Sequence, residues 1–520
     1  MALFWPLLLR GSILNDIRMF SKKLLASLAL SAILIASCTD HNIPTLTLEN
    51  PAAFKEVSAE DLGGTGASEI SAYDPFSKRL FTVNNESAAK IDVLDLSALP
   101  KITKLPAINV SALGGVANSV AVYDGKLAIA LEALNKQDNG SVVVLNTSTF
   151  AQITKIAVGA LPDMVTFSPD GKYIVTANEG EPNAAYTNDP AGSISIINVQ
   201  DNYSVKTLDF SPFEAARTQL TTAGLRVFGP NATLAKDIEP EYVAISADSK
   251  KAWVTLQENN GIAEVDLVAG TITKISPLGT KNLNIATNGF DPSDRDNKIG
   301  LSNWPVQSFY MPDGLAYFSV GGTNYLITAD EGDARDYAGY SEEVRIGSLN
   351  LDATAFPNAA SLKQVGILGR LRVTNSAGDT DKDGDYDVLY GFGGRGFSIY
   401  NAATIQRVFE PGKSLEERVV AAGKYDDDRS DDKGIEAENV TVGMVNGKLL
   451  AFIVLERADA VAVYDLSVPT APQFLQLLPT GDAPEGVLFV PAPQSPNGRS
   501  LLIVSCEGDG TVKMYQPNPL

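Results

Sequence analysis

Histidine is almost absent from the chain: its single copy is His41, near the N-terminus, and residues 42–520 contain none. Hydrolases with a Ser/His/Asp or Cys/His nucleophile, zinc and copper sites with imidazole ligands, and histidine-ligated haem all need this side chain. The sequence therefore predicts no haem and no His-ligated metal. Any chemistry in the folded part rests on carboxylates, Lys, Arg, Tyr or a metal ion held by oxygen ligands.

Positive charge is also scarce, since 41 Lys and Arg residues stand against 62 Asp and Glu residues and the net charge is −21. A protein that binds nucleic acid needs a basic surface that displaces counterions from the phosphates. The composition therefore predicts no nucleic acid partner. An acidic excess keeps an exported protein soluble, and it also suits a protein that binds cations.

The longest apolar run near the N-terminus, Leu24 to Ala36, is too short to cross a bilayer as a helix. Lys22 and Lys23 precede it and small residues follow it, which is the pattern of an export signal. Residues 1–38 are therefore interpreted as an export signal. A second apolar patch within residues 1–18 is redundant with it, so we expect translation to begin at Met19.

The chain has two cysteines, Cys38 and Cys506. The segment Ile35–Cys38 resembles the bacterial lipobox, in which the cysteine is diacylated and becomes the first residue of the mature protein. We therefore predict a protein exported and lipid-anchored in the bacterial cell envelope, at the outer membrane or cell surface. Its membrane contact is the lipid on Cys38, with residues 39–50 as a short tether. Ordinary cleavage beside an unmodified Cys38 is the alternative.

A repeated unit fills the rest of the chain. An acidic residue after a turn precedes three apolar strands that are separated by polar stops. Two clear copies run from Pro162 to Ile197 and from Pro240 to Asp266. The copies begin at Glu69, Ser119, Asp163, Glu241, Asp313, Glu438 and Glu485, and the copy at Ser119 lacks the acid.

The spacing of these copies predicts the fold. The shorter separations are 44 to 50 residues, which is the length of one propeller blade, and the longer ones hold insertions. We predict an all-β fold in which residues 51–520 form a single β-propeller of four-stranded antiparallel blades with loop insertions. Seven blades are preferred, and apolar segments at Val388–Phe392 and Phe397–Tyr400 leave eight open. A strand near residues 53–58 is expected to close the ring.

Six carboxylates begin the repeats, and the first strand of each blade lines the central channel of a propeller. They are Glu69, Asp163, Glu241, Asp313, Glu438 and Glu485. So many acids in one channel cannot all ionise cheaply without water, backbone N–H groups, Arg or a cation. Either each acid accepts backbone hydrogen bonds within its own blade, or the channel binds a cation or a polar ligand.

Further charged residues follow the second strands, where the loops of one rim are expected. The rim candidates are Glu179, Glu181, Glu331, Asp333, Arg335, Arg395, Glu456 and Glu507. Loops at a propeller rim commonly carry binding sites, so these residues are candidates for a polar or metal-bridged ligand. Ion pairs that only fasten the loops explain the pattern nearly as well.

An aspartate-rich segment lies in an insertion near residues 376–388. Its carboxylates occupy alternate positions: Asp379, Asp381, Asp383, Asp385 and Asp387. Such a loop, with Gly384 at the sixth place, suits Ca²⁺, which prefers six to eight oxygen ligands. Tyr390 stands where an EF-hand has its bidentate Glu, so the segment is not a complete EF-hand. We predict a structural Ca²⁺ here, and a solvated acidic loop is the alternative.

Several segments together resemble the choice-of-anchor I domain, a family that is also seen in mesenchyme-specific cell-surface glycoproteins and in some proteins labelled alkaline phosphatase. They are Thr176–Pro182, Ala329–Arg335, Gly384–Asp387 with Phe392–Ile399, and Ser495–Gly498. The resemblance implies a YVTN-type propeller that is exported and anchored at the surface. Family members usually have Ser and Asn where this chain has Gly396 and Cys506. The resemblance implies no particular reaction.

These observations predict a monomeric propeller anchored in the cell envelope, with structural calcium and a rim for an extracellular protein or glycan partner. The alternative is a calcium-dependent hydrolase of phosphoesters or lactones that uses metal-activated water and rim carboxylates as bases. A metal site shared by the Asp379–Asp387 loop and the channel mouth would favour hydrolysis. Separation of the two would favour binding.

Overall fold

The computed structural model describes residues 48–520. The predicted export signal, Met19, Cys38, His41 and the tether up to residue 47 lie outside the described residues. The first strand, β1, spans Glu49–Asp61. It therefore begins two residues before the predicted start of the propeller at residue 51.

Seven four-stranded sheets, which we call blades 1 to 7 in chain order, make up most of residues 48–520. Blade 1 has β2 (Ser71–Asp74), β3 (Arg79–Asn84), β4 (Lys90–Ala98) and β5 (Lys101–Asn109); blade 2 has β6 (Ala117–Tyr123), β7 (Lys126–Leu131), β8 (Asn139–Asn146) and β9 (Gln152–Ala160). Blade 3 has β10 (Pro162–Phe167), β11 (Tyr173–Asn178), β12 (Ser193–Asn198) and β13 (Ser204–Asp209); blade 4 has β14 (Pro240–Ile245), β15 (Lys251–Leu256), β16 (Gly261–Asp266) and β17 (Thr271–Pro277).

The remaining blades follow the same antiparallel order. Between blades 4 and 5 lie β18 (Thr280–Asn282) and β19 (Gln307–Phe309). Blade 5 has β20 (Leu315–Val320), β21 (Thr323–Asp330), β27 (Gly396–Asn401) and β28 (Gln406–Phe409); its insertion holds β22 (Asp336–Tyr337), β23 (Tyr340–Ser341), β24 (Glu343–Arg345), β25 (Arg372–Thr374) and β26 (Tyr390–Gly391). Blade 6 has β29 (Ala437–Val445), β30 (Lys448–Leu455), β31 (Ala460–Asp465) and β32 (Gln473–Pro479); blade 7 has β33 (Pro484–Val490), β34 (Leu501–Cys506), β35 (Thr511–Pro519) and β1.

The first strands of the blades form a closed inner wall. Strand β2 contacts β6, and the contacts continue through β10, β14, β20, β29 and β33, which returns to β2. Strand β1 pairs antiparallel with β35 and completes blade 7 from the N-terminal side. This pairing joins the two ends of the propeller and confirms the predicted closure near residues 53–58. The all-β propeller prediction is therefore confirmed.

The core consists of apolar layers between neighbouring blades. The central strands are apolar on both faces: residues Leu450–Leu455 of β30 and all of β31 are buried. One buried cluster lies between blades 5 and 6, and further clusters fill the other six blade junctions. Because each blade is covered on both faces, its middle strands read as continuous apolar runs rather than as alternating ones.

Two insertions flank β20 and β21, and the second of them contains Val388–Phe392, the first of the two segments that left an eighth blade open. Strand β26 pairs with β19 in a three-stranded sheet, while β27 is the third strand of blade 5. The two segments therefore belong to different sheets, and the described residues form seven blades. The insertions have their own apolar core, which includes Phe290, Ile346 and Leu368.

Helices are few and short in the described part of the chain. They span Arg217–Thr222, Leu234–Asp237, Ala359–Leu362 and Ser414–Ala421, with 3-10 turns at Ser211–Ala216, Ala286–Asn288, Ile346–Ser348, Asp427–Arg429 and Glu456–Ala458. None of the helices within residues 48–520 has the length and apolar character that a membrane crossing requires.

Replacing Phe54 by alanine is expected to lower the free energy of unfolding by about 3 to 5 kcal/mol. The ring of Phe54 is 3% exposed and packs edge-on against Phe452 of blade 6, with 5.3 Å between the ring centroids. Urea unfolding measures the change. Lys55→Ala, at the exposed next position of β1, is the matched control and should change stability by less than about 0.5 kcal/mol. Equal stability of the two variants would contradict the closing role of β1.

Candidate functional site

The six predicted carboxylates lie at the start of the first strands. They form one layer around the channel, which we call the first layer. In blade 3 a β-bulge falls between Pro162 and Met164, and bulges occur at matching places in blades 2, 4, 6 and 7. A bulge leaves one residue unpaired and re-aims its side chain, which here is Asp163. In blade 2 the matching residue is Asn118, one position before the predicted start at Ser119.

Proline often precedes the first-layer acid. The four cases are Pro162, Pro240, Pro312 and Pro484. Proline has no N–H to contribute to a ladder, so it is tolerated at the first residue of a strand or at a bulge. A proline followed by an acid is therefore the local signal that places a carboxylate on the channel side of a blade.

A second layer of polar residues comes directly after the second strand of each blade. Its members are Asn85, Glu132, Glu179, Gln257, Glu331, Glu456 and Glu507. The sequence pattern identifies the four glutamates from Glu179 onwards as rim candidates. It misses Asn85, Glu132 and Gln257. Each of them lies one residue beyond the end of a second strand, and this shared position would identify them.

Two cavities lie among the first strands. The narrower has a volume of about 50 Å³ and is lined by residues of all seven blades, among them Asp163, Asp313 and Glu485. The wider has a volume of about 260 Å³, and its lining includes Ser71 and Val487 but none of the first-layer acids. Three of the six carboxylates thus line the narrow cavity, and none lines the wider one.

The first-layer carboxylates have few partners. Within residues 48–520 none of the six accepts a backbone N–H, and the one side-chain hydrogen bond comes from Asn85 Nδ2, which lies 2.8 Å from Glu69 Oε2. No Lys or Arg nitrogen of the described residues lies within 4.0 Å of them. The interpretation that backbone groups hold these acids in place therefore has no hydrogen bond to support it in this part of the chain.

Burial and mutual repulsion favour the protonated forms of these acids. Burial, opposed by the Asn85 hydrogen bond and reinforced by the charges of Glu507 and Asp163, raises the pKa of Glu69 to about 8. Burial and then the charge of Glu181 raise the pKa of Asp163 to about 7. For the same reasons the pKa lies well above its usual value at the remaining four, Glu241, Asp313, Glu438 and Glu485.

Two lysines approach the rim carboxylates. The Lys136 ammonium pairs with Glu181. The Lys433 ammonium lies 3.0 Å from Glu331 Oε1 and 3.3 Å from Asp333 Oδ1, and its side chain is 11% exposed. Glu331, Asp333 and Glu181 are therefore compensated, whereas the first-layer acids beneath them are not.

Glu456 and Glu507 differ in their surroundings. The Arg457 guanidinium lies 3.1 Å from Glu456 Oε1, yet burial still raises the pKa of Glu456 to about 7. Glu507 forms no ion pair in residues 48–520, and its negative charge helps to raise the pKa of Glu69. Blade 7 thus contributes a second-layer carboxylate that has no ion-pair partner among the described residues.

The two candidate arginines are buried in ion pairs. Arg335 lies 2.7 Å from Asp237 and 3.1 Å from Glu239, with all three side chains at most 2% exposed. Arg395 lies 3.3 Å from Glu416. Removing one member of such a pair leaves a buried charge unpaired. Both guanidinium groups therefore hold the insertions to the blades, and neither points to a free surface.

Two groups of three carboxylates repeat the same arrangement at the mouth. In each group the first-layer and second-layer acids of one blade meet the first-layer acid of the next blade. The groups are Asp163, Glu179 and Glu241 at blades 3 and 4, and Asp313, Glu331 and Glu438 at blades 5 and 6; in each, one oxygen per residue lies within 4.8 Å of the other two.

The aspartate-rich loop lies in the insertion after β25 and forms two smaller groups. Oxygens of Asp379, Asp381 and Asp387 lie within 4.8 Å of one another, and Asp385 and Asp387 form a similar group with Asp352. Asp379 Oδ1 is buried without a hydrogen-bond partner. A hard cation needs such a set of oxygens, so the loop fits a calcium ion. Asp383 belongs to neither group.

Two features of the loop go beyond the sequence pattern. The backbone pairing of Leu351 with Tyr386 brings Asp352 to the loop, and no sequence signal marks that residue. In residues 48–520 no group of carboxylates within metal-sharing distance combines the loop with the channel mouth. The two acidic regions are therefore separate sites.

Comparison with known proteins places this architecture in a family. The sequence pattern that defines the choice-of-anchor I domain matches residues 69–469. The chain is 28% identical to Gigasin-3a of Magallana gigas over 198 residues, which are 31% of this chain and 69% of that protein. It is 25% identical to the mesenchyme-specific cell surface glycoprotein of Strongylocentrotus purpuratus over 283 residues, which are 46% of this chain and 36% of that protein.

Solved structures are similar at low sequence identity. Hydrazine synthase of Kuenenia stuttgartiensis superposes with a TM-score of 0.48 and 14% identity, covering 88% of this chain and 97% of that one. The WD40 domain of Neurospora crassa Pan2 gives a TM-score of 0.47 and 10% identity, covering 91% and 98%.

Glu69→Gln is expected to raise the melting temperature at pH 9 in EDTA and to leave it unchanged at pH 4, below the ordinary pKa of 4.5. A carboxyl whose pKa is raised on folding stabilises the native state fully below its unfolded pKa, and that contribution is lost as the pH rises through about 8. Glutamine removes the charge and can still accept the Asn85 hydrogen bond. Glu60→Gln, on the outermost strand of blade 7, should change neither value. A melting temperature for Glu69→Gln that matches wild type at both pH values would contradict the raised pKa.

Proposed function

The chain belongs to the choice-of-anchor I domain family, and from that we propose that it is an exported, surface-anchored binding propeller whose acidic channel mouth receives an extracellular protein or glycan. The protein acts as a monomer, since one closed ring presents the complete mouth. The blades supply a rigid scaffold, and the second-layer residues and the loops beside them form the contact surface.

The observation that carries this proposal is that most carboxyl groups of the mouth have no cationic partner among the described residues. Charged groups that lack partners within the chain favour ligands of opposite charge and steer their approach. A suitable partner presents basic side chains, or sugar hydroxyls that share a calcium ion with the carboxylates. Glu132 and Glu507 are only partly buried and would make the first contacts.

A lipid on Cys38 and calcium in the aspartate-rich loop complete the proposal. The lipid would tether the propeller to the cell envelope, which fits a family that is named for its varied anchors. Calcium would bind Asp379, Asp381 and Asp387 and fasten the insertion beside blade 5. Because this loop shares no carboxylate group with the channel mouth among the described residues, its calcium would be structural.

Glu132→Gln combined with Glu507→Gln is expected to weaken partner binding about tenfold, which corresponds to about 1.4 kcal/mol. Binding of the soluble chain to arrayed glycans and to a basic polypeptide, each with calcium and with EDTA, measures the effect. Glu60→Gln, on the outermost strand of blade 7 and outside both carboxylate layers, is the matched control and should bind as wild type does.

Two outcomes of that experiment would contradict the proposal. Binding that is unchanged in the double variant would remove the mouth as the contact surface. Calcium-dependent turnover of phosphoester or lactone substrates that is lost in Glu331→Gln or Glu181→Gln would replace the binding function with a hydrolase.

Cys38→Ser is expected to move the protein from the detergent phase to the aqueous phase when cell extracts are partitioned in a cloud-point detergent. The reason is that an acyl chain contributes about 0.8 kcal/mol of membrane affinity per buried CH₂, and serine cannot receive one. Cys506→Ser is the control, because Cys506 is buried in blade 7 and its loss should leave the partition unchanged. Wild-type protein found in the aqueous phase would contradict the lipid anchor.

A further inference from the structure

The carboxylate group at blades 3 and 4 has the dimensions of a metal site. One oxygen each of Asp163, Glu179 and Glu241 lies within 4.8 Å of the other two. Two oxygens bound to one Ca²⁺ at about 2.4 Å can be at most about 4.8 Å apart. A single ion could therefore contact all three residues.

In the matching group at blades 5 and 6, one of the three carboxylates is paired with a cation of the protein. There Lys433 places its ammonium 3.0 Å from Glu331 Oε1, and Gln257 Nε2 donates a hydrogen bond to Glu331 Oε2 at 2.6 Å. The repeat has thus placed the same three acids twice. At one of the two places a lysine supplies the positive charge.

The group at blades 3 and 4 has no such partner within residues 48–520. None of its three carboxylates accepts a hydrogen bond, and no Lys or Arg nitrogen lies within 4.0 Å of them. The lysine of that side, Lys136, pairs with Glu181 instead. Three carboxylates at this separation repel one another strongly unless protons or a cation intervene.

A fourth carboxylate beside the group gives an independent indication of a ligand. Glu258 is 7% exposed, and its Oε2 is buried without a hydrogen-bond partner. After burial and Asp163, the charge of Glu258 is among the causes that raise the pKa of Glu179. It also contributes, after burial and Glu179, to the raised pKa of Glu241. A buried carboxylate without a partner is costly.

We propose that Asp163, Glu179 and Glu241 bind a calcium ion at the channel mouth, with Glu258 as a fourth carboxylate beside it. The donors are all oxygen, which selects a hard cation over zinc, copper or iron. At blades 5 and 6 the Lys433 ammonium instead pairs with one member of the matching group, Glu331. This site is distinct from the aspartate-rich loop and does not depend on the partner proposed above.

Calcium stoichiometry of the full-length protein in detergent tests this site. Equilibrium dialysis against radioactive calcium is performed after treatment with EDTA, in an Asp381→Asn background that disables the loop. Glu179→Gln should bind one ion fewer than the background protein. Glu331→Gln, the matched second-layer variant at the lysine-compensated group, should bind as many ions as the background.

Melting in EDTA separates loss of the ion from loss of the fold. Glu179→Gln should melt at or above the temperature of the background protein, because it removes one of several like charges, and calcium should stabilise it less. If Glu179→Gln does not fold, Glu241→Gln takes its place with the same expectation. An unchanged number of bound ions in the folded variant would overturn the site, whether or not the loop binds calcium.

Discussion

The closed ring of seven first strands is the constraint from which the rest of the structure follows. Each blade meets its neighbours along these strands, and the pairing of β1 with β35 closes the circuit. A bulge at the start of a first strand then directs one side chain towards the common axis. Asp163, Glu241, Glu438 and Glu485 occupy such bulges. Together with Glu69 and Asp313 they bring six carboxylates into one narrow channel, which no single blade could do.

The repulsion among these carboxylates is reduced by different contacts in different blades. Lys433 pairs with Glu331, Asn85 donates to Glu69, and Lys136 pairs with Glu181. The group of Asp163, Glu179 and Glu241 at blades 3 and 4 has no Lys or Arg nitrogen within 4.0 Å among the described residues. Left alone, its acids hold protons to a higher pH than free carboxyl groups do, because burial and repulsion raise the pKa of each. The same close packing of carboxylates that would bind a cation therefore destabilises the folded protein when no cation is bound.

The features that depend on short stretches of sequence could be predicted from the sequence. The blade starts, the closing strand and the first-layer acids follow from short-range alternation and spacing, so they could be predicted from the sequence. In blade 2 the bulge places Asn118, and not the predicted Ser119, at the position of the first-layer acids. The alternation of apolar and polar residues does not reveal this shift. Asp352 and Glu258 reach their sites through the packing of distant segments. Arg335 and Arg395, which a rim position would expose, are buried because the insertions fold over them.

A crystal structure of the protein grown at pH 8 with calcium tests the central claim most directly, through the anomalous signal of calcium at the channel mouth. We predict a peak between Asp163, Glu179 and Glu241, with oxygen ligands at about 2.3 to 2.6 Å. Carboxyl groups that share protons with one another or with water at hydrogen-bond distance, without an anomalous peak, would contradict it.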